Sequence, residues 1–125
     1  MTSPATYNHV AIVHIEDDEA TRYGVLLTLR DNGFTNVRQF SSLVDAEPAL
    51  ASADIVLSDL RLAKSDPPDT IQFLLCHYDG QIAALTGLPW VFEFANPRIH
   101  YLRKDLFLKR ETALPALLLS LLQHD

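Results

Sequence analysis

The chain has 125 residues and a formal net charge of −6, from 10 Lys plus Arg against 16 Asp plus Glu. That length builds one hydrophobic core and no second, while 48% hydrophobic and 21% charged residues exclude a wholly disordered chain. The acidic balance argues against direct binding to a nucleic-acid backbone, which needs a basic footprint.

Residues 1–8 have neither a basic start nor an apolar core, so they read as a loose tail rather than a signal peptide. Val10 to Ile15 is an apolar run with the pattern of a strand buried on both faces. Asp18 can cap the next segment, where Ala20, Tyr23, Gly24 and Leu27 fall at i, i+3, i+4 and i+7 before an Asn32-Gly33 stop. Val37 to Phe40 is a second strand. Ser42, with Asp45 three residues on, caps a short helix to about Ala51. Ile55-Val56-Leu57 is the third and most central strand, ending at Asp59. A polar loop carrying Pro67 and Pro68 leads to a helix near Thr70 to His77, which holds the single cysteine, Cys76. One cysteine forms no internal disulfide, and the reading is a reducing, cytoplasmic compartment. Asp79-Gly80 turns into a fourth strand, Ile82 to Leu85, and Ile99 to Leu102 is the fifth. Thr112 caps a last helix whose inward stripe is Leu114, Leu117, Leu118, Leu121 and Leu122. The leucine-rich stretch from Ala116 to Leu122 is far too short to span a bilayer. Strands alternating with helices imply a doubly wound α/β domain with a parallel sheet.

In an open parallel sheet the ligand site lies at the carboxyl ends of the strands. Glu16-Asp17-Asp18 follow the first strand, Asp59 ends the third, Thr86-Gly87 follow the fourth and Arg103-Lys104 the fifth. Each alone is ordinary: acids cap helices, and a lone lysine is a solvated charge. Together they place carboxylates, a hydroxyl and an ammonium on one edge. Two carboxylates ~4 Å apart repel by ~4 kcal/mol at an effective dielectric of ~20. Three in one cleft therefore call for a divalent cation, and Mg2+ suits a few carboxylates, a carbonyl and waters. A carboxylate can also attack a phosphoryl group, with cations stabilising the transferring charge. Glu16 and Asp17, nearest the strand end, are taken as the pair facing the cleft, leaving Asp18 to cap.

In Val13-His-Ile-Glu-Asp-Asp-Glu19, Asp54-Ile-Val-Leu-Ser-Asp-Leu-Arg-Leu62, Ala84-Leu-Thr-Gly87 and Tyr101-Leu-Arg-Lys104, the chain resembles the CheY-like receiver domain of two-component response regulators. The resemblance covers residues 9–125. It implies a five-stranded, flavodoxin-like sheet in order 2-1-3-4-5. It further implies Asp59 as phospho-acceptor, and a Mg2+ or Mn2+ ion held by Glu16, Asp17, Asp59 and the backbone carbonyl of Arg61. Thr86 and Lys104 would contact the phosphoryl group, and Thr86 with Tyr101 would form the switch.

Four departures from the family stand out. The loop after Asp59 lacks the usual early proline, Thr70 stands near the usual loop glycine, and Asp105 replaces the proline after Lys104. Lys104 follows Thr86 by only 18 positions, and the stretch between them includes Pro89 and Pro97, so the helix between strands four and five is expected to be short or distorted. Trp90, Phe92 and Phe94 beside it read as packing residues or as part of a partner surface, as does Leu119 on the last helix. The five histidines lack metal-ligand spacing, and His14 is expected to pack within the first strand.

The implied function is a phosphorylation-controlled signalling receiver. It would take its phosphoryl group from a histidine kinase or histidine phosphotransfer protein and signal to a downstream protein partner, without contacting nucleic acid or membrane. Self-phosphorylation and autodephosphorylation are expected, with no turnover of a separate substrate. A second reading is a phosphate-independent adaptor of the same fold, acting through the atypical surface around the shortened helix and the last one. A flavodoxin-like small-molecule binder is disfavoured, because the first loop is acidic and has no phosphate cradle.

Overall fold

The structure, a computed structural model, describes residues 7–87, 96–104 and 113–122. Five strands, β1 (Ile12–Ile15), β2 (Val37–Phe40), β3 (Ile55–Asp59), β4 (Gln81–Thr86) and β5 (Ile99–Arg103), form one parallel sheet in the order β2-β1-β3-β4-β5. Between and after them run α1 (Glu19–Asp31), α2 (Leu43–Leu50), α3 (Pro67–His77) and α4 (Ala113–Leu122). This is the doubly wound, CheY-like order expected. The tail before Tyr7, the segment with Pro89, Trp90, Phe92 and Phe94, and Asp105 and Thr112 lie outside the described residues.

Period-two alternation along the central strands feeds two cores, one on each face of the sheet. On one face Val13, Ile15, Val56 and Ile82 pack with Leu43, Ala46 and Leu50 of α2 and Ile71 and Leu74 of α3. On the other, Ile12, Ile55, Leu57 and Leu85 pack with Val25 and Leu29 of α1 and Leu114 and Leu118 of α4. β1 and β3 are buried at every position, which is why they read as unbroken apolar runs. β2 at the sheet's edge is mostly half-exposed and gives a fainter signal.

The caps form as the residue types dictate. Asp18 Oδ2 accepts from the Thr21 N–H at 2.8 Å and from the Thr21 hydroxyl at 2.7 Å, and Ser42 Oγ accepts from the Asp45 N–H at 3.2 Å. After α1, Gly33 turns the chain at φ 91, a left-handed conformation that a Cβ disfavours. There Tyr7 donates its N–H to the Gly33 carbonyl at 2.8 Å, and its ring stacks on Phe34 with centroids 4.8 Å apart.

Three expectations need correction. The α1 stripe of Ala20, Tyr23, Gly24 and Leu27 is the outer face: Tyr23 is 61% and Leu27 40% exposed. The helix buries Val25 and Leu29 instead, because that side removes more aliphatic surface from water than a side built on Ala20 and Gly24. α3 begins three residues earlier than expected, since Pro67 and Pro68 fit a first turn where no N–H is needed. β1 starts at Ile12 rather than Val10, whose N–H is taken by the Tyr7 carbonyl at 3.0 Å.

Candidate acid site

All five strands point the same way, so their carboxyl ends share one edge. β1 and β3 are neighbours, and their following helices leave on opposite faces of the sheet. A crevice opens between them, as at any such switch point. Glu16 continues the β1 ladder through its N–H to the Phe40 carbonyl at 2.9 Å, and Leu60 continues β3 through its N–H to Leu85 at 3.2 Å. The backbone on both sides of the crevice is therefore fixed by the sheet itself.

Carboxylate oxygens of Glu16, Asp17 and Asp59 lie within 4.8 Å of one another. Lys104 Nζ donates to Asp59 Oδ2 at 2.9 Å and stands 3.1 Å from Glu16 Oε1. The Arg61 N–H reaches Asp59 Oδ1 at 3.4 Å. Asp59, Arg61, Thr86, Gly87 and Lys104 line a cleft of about 370 Å³, together with Leu60 and Pro67. Among the described residues nothing lies within 4 Å of where a Gly87 Cβ would stand.

Burial divides the three acids. Glu16 is fully buried and Asp59 nearly so, whereas Asp17 is exposed. Burial first, and the Asp59 charge second, push the Glu16 carboxyl up to about 7. Burial works against the Lys104 ammonium, but the hydrogen bond to Asp59 and the charges of Asp59 and Glu16 outweigh it and raise its pKa. Two carboxyl groups thus meet one ammonium at close range, with that of Asp17 beside them.

The donor set fits a small divalent cation. It is all oxygen, and its carboxylates are few enough to leave room for waters, as Mg2+ requires. Glu16 Oε1 is buried without an aligned hydrogen bond, an acceptor with capacity to spare.

The sequence-derived residues divide as follows. Glu16, Asp17, Asp59, Thr86 and Lys104 come together at the strand ends, with Arg61 beside them. Tyr101 sits in β5 opposite Ala84, half-buried against the α2–α3 side of the sheet, and burial raises its phenol pKa. Leu119 is half-buried at the border of the α1–α4 core.

Sequence reasoning missed the residues that hold this site. Arg22 Nη1, in α1, donates to the Glu16 carbonyl at 2.9 Å. Gln39 Nε2, in β2, donates to the Arg22 carbonyl at 2.7 Å and contacts His14 Nδ1 at 3.0 Å. Thr70 donates its buried hydroxyl to the Leu60 carbonyl at 2.8 Å and is itself 2.8 Å from Ser65 Oγ. Arg22 alone had a local signal, standing one helical turn after the Asp18 cap.

No protein-family model matches the sequence, and no curated protein matches it. Solved structures do match the fold. A receiver domain of an HD domain-containing protein from Pseudomonas fluorescens Pf-5 is 22% identical with a TM-score of 0.76, over 92% of this chain and 95% of that one. A CheY-like response regulator receiver domain from Methylobacillus flagellatus is 21% identical with a TM-score of 0.73, over 90% and 98%. The Vibrio cholerae chemotaxis protein CheY4 is 16% identical with a TM-score of 0.69, again over 90% and 98%. The chain has the receiver fold along most of its length.

Proposed function

We propose that this chain is a two-component receiver that accepts a phosphoryl group on Asp59 from a phosphohistidine of a kinase or phosphotransfer protein. The observation that carries the reading is the 2.9 Å contact of Lys104 with Asp59 beside two further carboxylates within 4.8 Å, at the strand ends of a receiver fold.

In the reaction an Asp59 carboxylate oxygen bonds to phosphorus as the P–N bond to the donor imidazole breaks. The imidazole leaves with the electron pair and takes up a proton. Lys104 moves its hydrogen bond from the carboxylate to a phosphoryl oxygen, and the Thr86 hydroxyl donates to another. A Mg2+ or Mn2+ ion held by Glu16, Asp17, Asp59 and the Arg61 carbonyl would supply positive charge against the phosphoryl oxygens. Attack of water on the acyl phosphate returns Asp59 and inorganic phosphate. Occupancy passes outward through Thr86 on β4 and Tyr101 on β5 to a protein partner, in the cytoplasm where such kinases present their phosphohistidine.

Intact-mass measurement after incubation with acetyl phosphate and Mg2+ tests the reading. One phosphoryl adduct is expected, absent in Asp59→Asn and absent after chelation. An adduct at full yield in Asp59→Asn removes the assignment. No adduct on the parent protein favours the phosphate-independent adaptor.

A further inference from the structure

Among the described residues, two buried side-chain polar atoms lack an aligned hydrogen bond: His14 Nε2, and Glu16 Oε1, which has the Lys104 ammonium 3.1 Å away and a second lone pair to offer. They belong to residues two apart along β1 and its continuation. Alternation puts residues i and i+2 of a strand on the same face, ~6.6 Å apart along it. One water molecule accepting from one atom and donating to the other bridges roughly 4.7 Å, two contacts of ~2.9 Å at a tetrahedral angle, a gap that side chains on one face of a strand reach by leaning toward each other.

The roles of donor and acceptor follow from the neighbours. Gln39 places one amide end 2.7 Å from the Arg22 carbonyl and 3.0 Å from His14 Nδ1. A carbonyl accepts only, so the NH2 end must face it, and the same nitrogen gives its second hydrogen to Nδ1. Nδ1 is then the acceptor, and the neutral ring carries its proton on Nε2. The ring is fully buried. His14 Nε2 is thus a donor and Glu16 Oε1 an acceptor.

We propose that His14 is a positioning residue for Glu16, linked to its carboxylate through one buried water. The link closes a circuit that begins and ends on Glu16. Arg22 Nη1 holds the Glu16 carbonyl at 2.9 Å, Gln39 holds the Arg22 carbonyl and the His14 ring, and His14 holds the Glu16 side chain through the water. A buried polar site with such partners is where internal water is retained. The circuit fixes both the backbone and the carboxylate of the one fully buried acid in the cleft, and outer partners of this kind set the orientation of metal ligands. The metal role of Glu16 rests on the reading above; the circuit itself does not.

Two measurements test it. A crystal structure of the full chain at atomic resolution should place one water within hydrogen-bond distance of both His14 Nε2 and Glu16 Oε1. A ring with its proton on Nδ1, or no water common to the two atoms, overturns the proposal. Separately, Mg2+ titrations should be run on the parent, His14→Leu and His14→Gln, with the stability of each measured without metal. Leucine removes the donor but suits a buried apolar site, so His14→Leu should be at least as stable as the parent yet bind Mg2+ about tenfold more weakly. Glutamine restores an N–H near the Nε2 position, so it should recover most of the affinity while being the least stable of the three. Affinities that follow the order of stability overturn the positioning role. If the parent binds no Mg2+, the reading of the acid site falls, and the water in the crystal still decides the circuit.

Discussion

Asp59 and Lys104 stand 45 residues apart in sequence and are joined by a hydrogen bond of 2.9 Å between carboxylate and ammonium. The same ammonium lies 3.1 Å from the buried Glu16. Removing it leaves two nearly buried carboxylates facing each other, and an uncompensated buried charge is more costly than an absent pair. Lys104→Met is therefore expected to lose about 1–3 kcal/mol in metal-free urea denaturation, the lysine being partly exposed. Added Mg2+ should raise its melting temperature more than the parent's, and acetyl phosphate should leave little adduct. Unchanged stability together with unchanged adduct yield would show that the contact contributes nothing.

Two buried groups pull the pH dependence of stability in opposite directions. Glu16 keeps its proton up to about 7 when folded, against 4.5 ordinarily, so between those values the folded state binds more protons and stability falls as pH rises. His14 protonates only near 3 when folded, against 6.5, so between those values the unfolded state binds more protons and stability rises with pH. In metal-free protein, His14→Leu should gain stability as pH falls from about 7 to about 4.5. Glu16→Gln should lose stability over the acid range below about 6.5. Urea denaturation across this range checks both, and slopes of the same sign in the two variants contradict the assignment.

Asp17 is exposed and offers a carboxylate oxygen within 4.8 Å of those of Glu16 and Asp59. Asp17→Asn should weaken Mg2+ binding by at least about tenfold, abolishing most of the Mg2+-dependent gain in melting temperature, which follows from mass action. Stability without metal should hold or rise slightly, since one repulsion is relieved. Undiminished Mg2+ affinity would move the metal-facing acid from Asp17 to Asp18.

The Ser65–Thr70–Leu60 chain ties the loop after Asp59 to the first turn of α3. Thr70→Val deletes the buried hydroxyl and leaves the Leu60 carbonyl without its side-chain donor, at a cost of about 1–3 kcal/mol. Thr70→Ser keeps the hydroxyl, and its rate of phosphorylation by acetyl phosphate should stay nearer the parent's, because Arg61 is the next residue along the loop. Equal rates in the valine and serine variants would separate this hydroxyl from the site.

For output, the sequence alone directs attention to the stretch between β4 and β5, with its two prolines and three aromatics. Trp90→Ala or Phe92→Ala should weaken capture of a partner by phosphorylated protein while leaving Asp59 phosphorylation intact. Unfolding of both variants would mean the rings are core.

The sheet was legible because β1 and β3 are buried on both faces and therefore read as continuous apolar runs. The polar residues that end β1 and β3 then marked the acids, and those that end β4 and β5 the threonine and the lysine. The inward side of α1 was not legible. Apolar residues at helical spacing occur on both of its sides, and only the competition for the sheet decides between them. The supporting hydrogen bonds were hidden for a different reason. Gln39 meets His14 because β2 pairs with β1 in the register that sets those two residues side by side, and register is a property of two segments together. Thr70 looked like a substitute for a loop glycine, but its hydroxyl reaches back ten residues to Leu60.

Tyr7 is fastened to Gly33 and Phe34 at the amino end of β1, and every strand runs from that end of the sheet towards the acids. An affinity tag or fluorescent reporter joined upstream of Tyr7 therefore departs from the pole opposite the cleft. Immobilisation through that tether should leave the carboxylates facing solution, which suits the chain to surface-based measurement of phosphodonor and metal exchange.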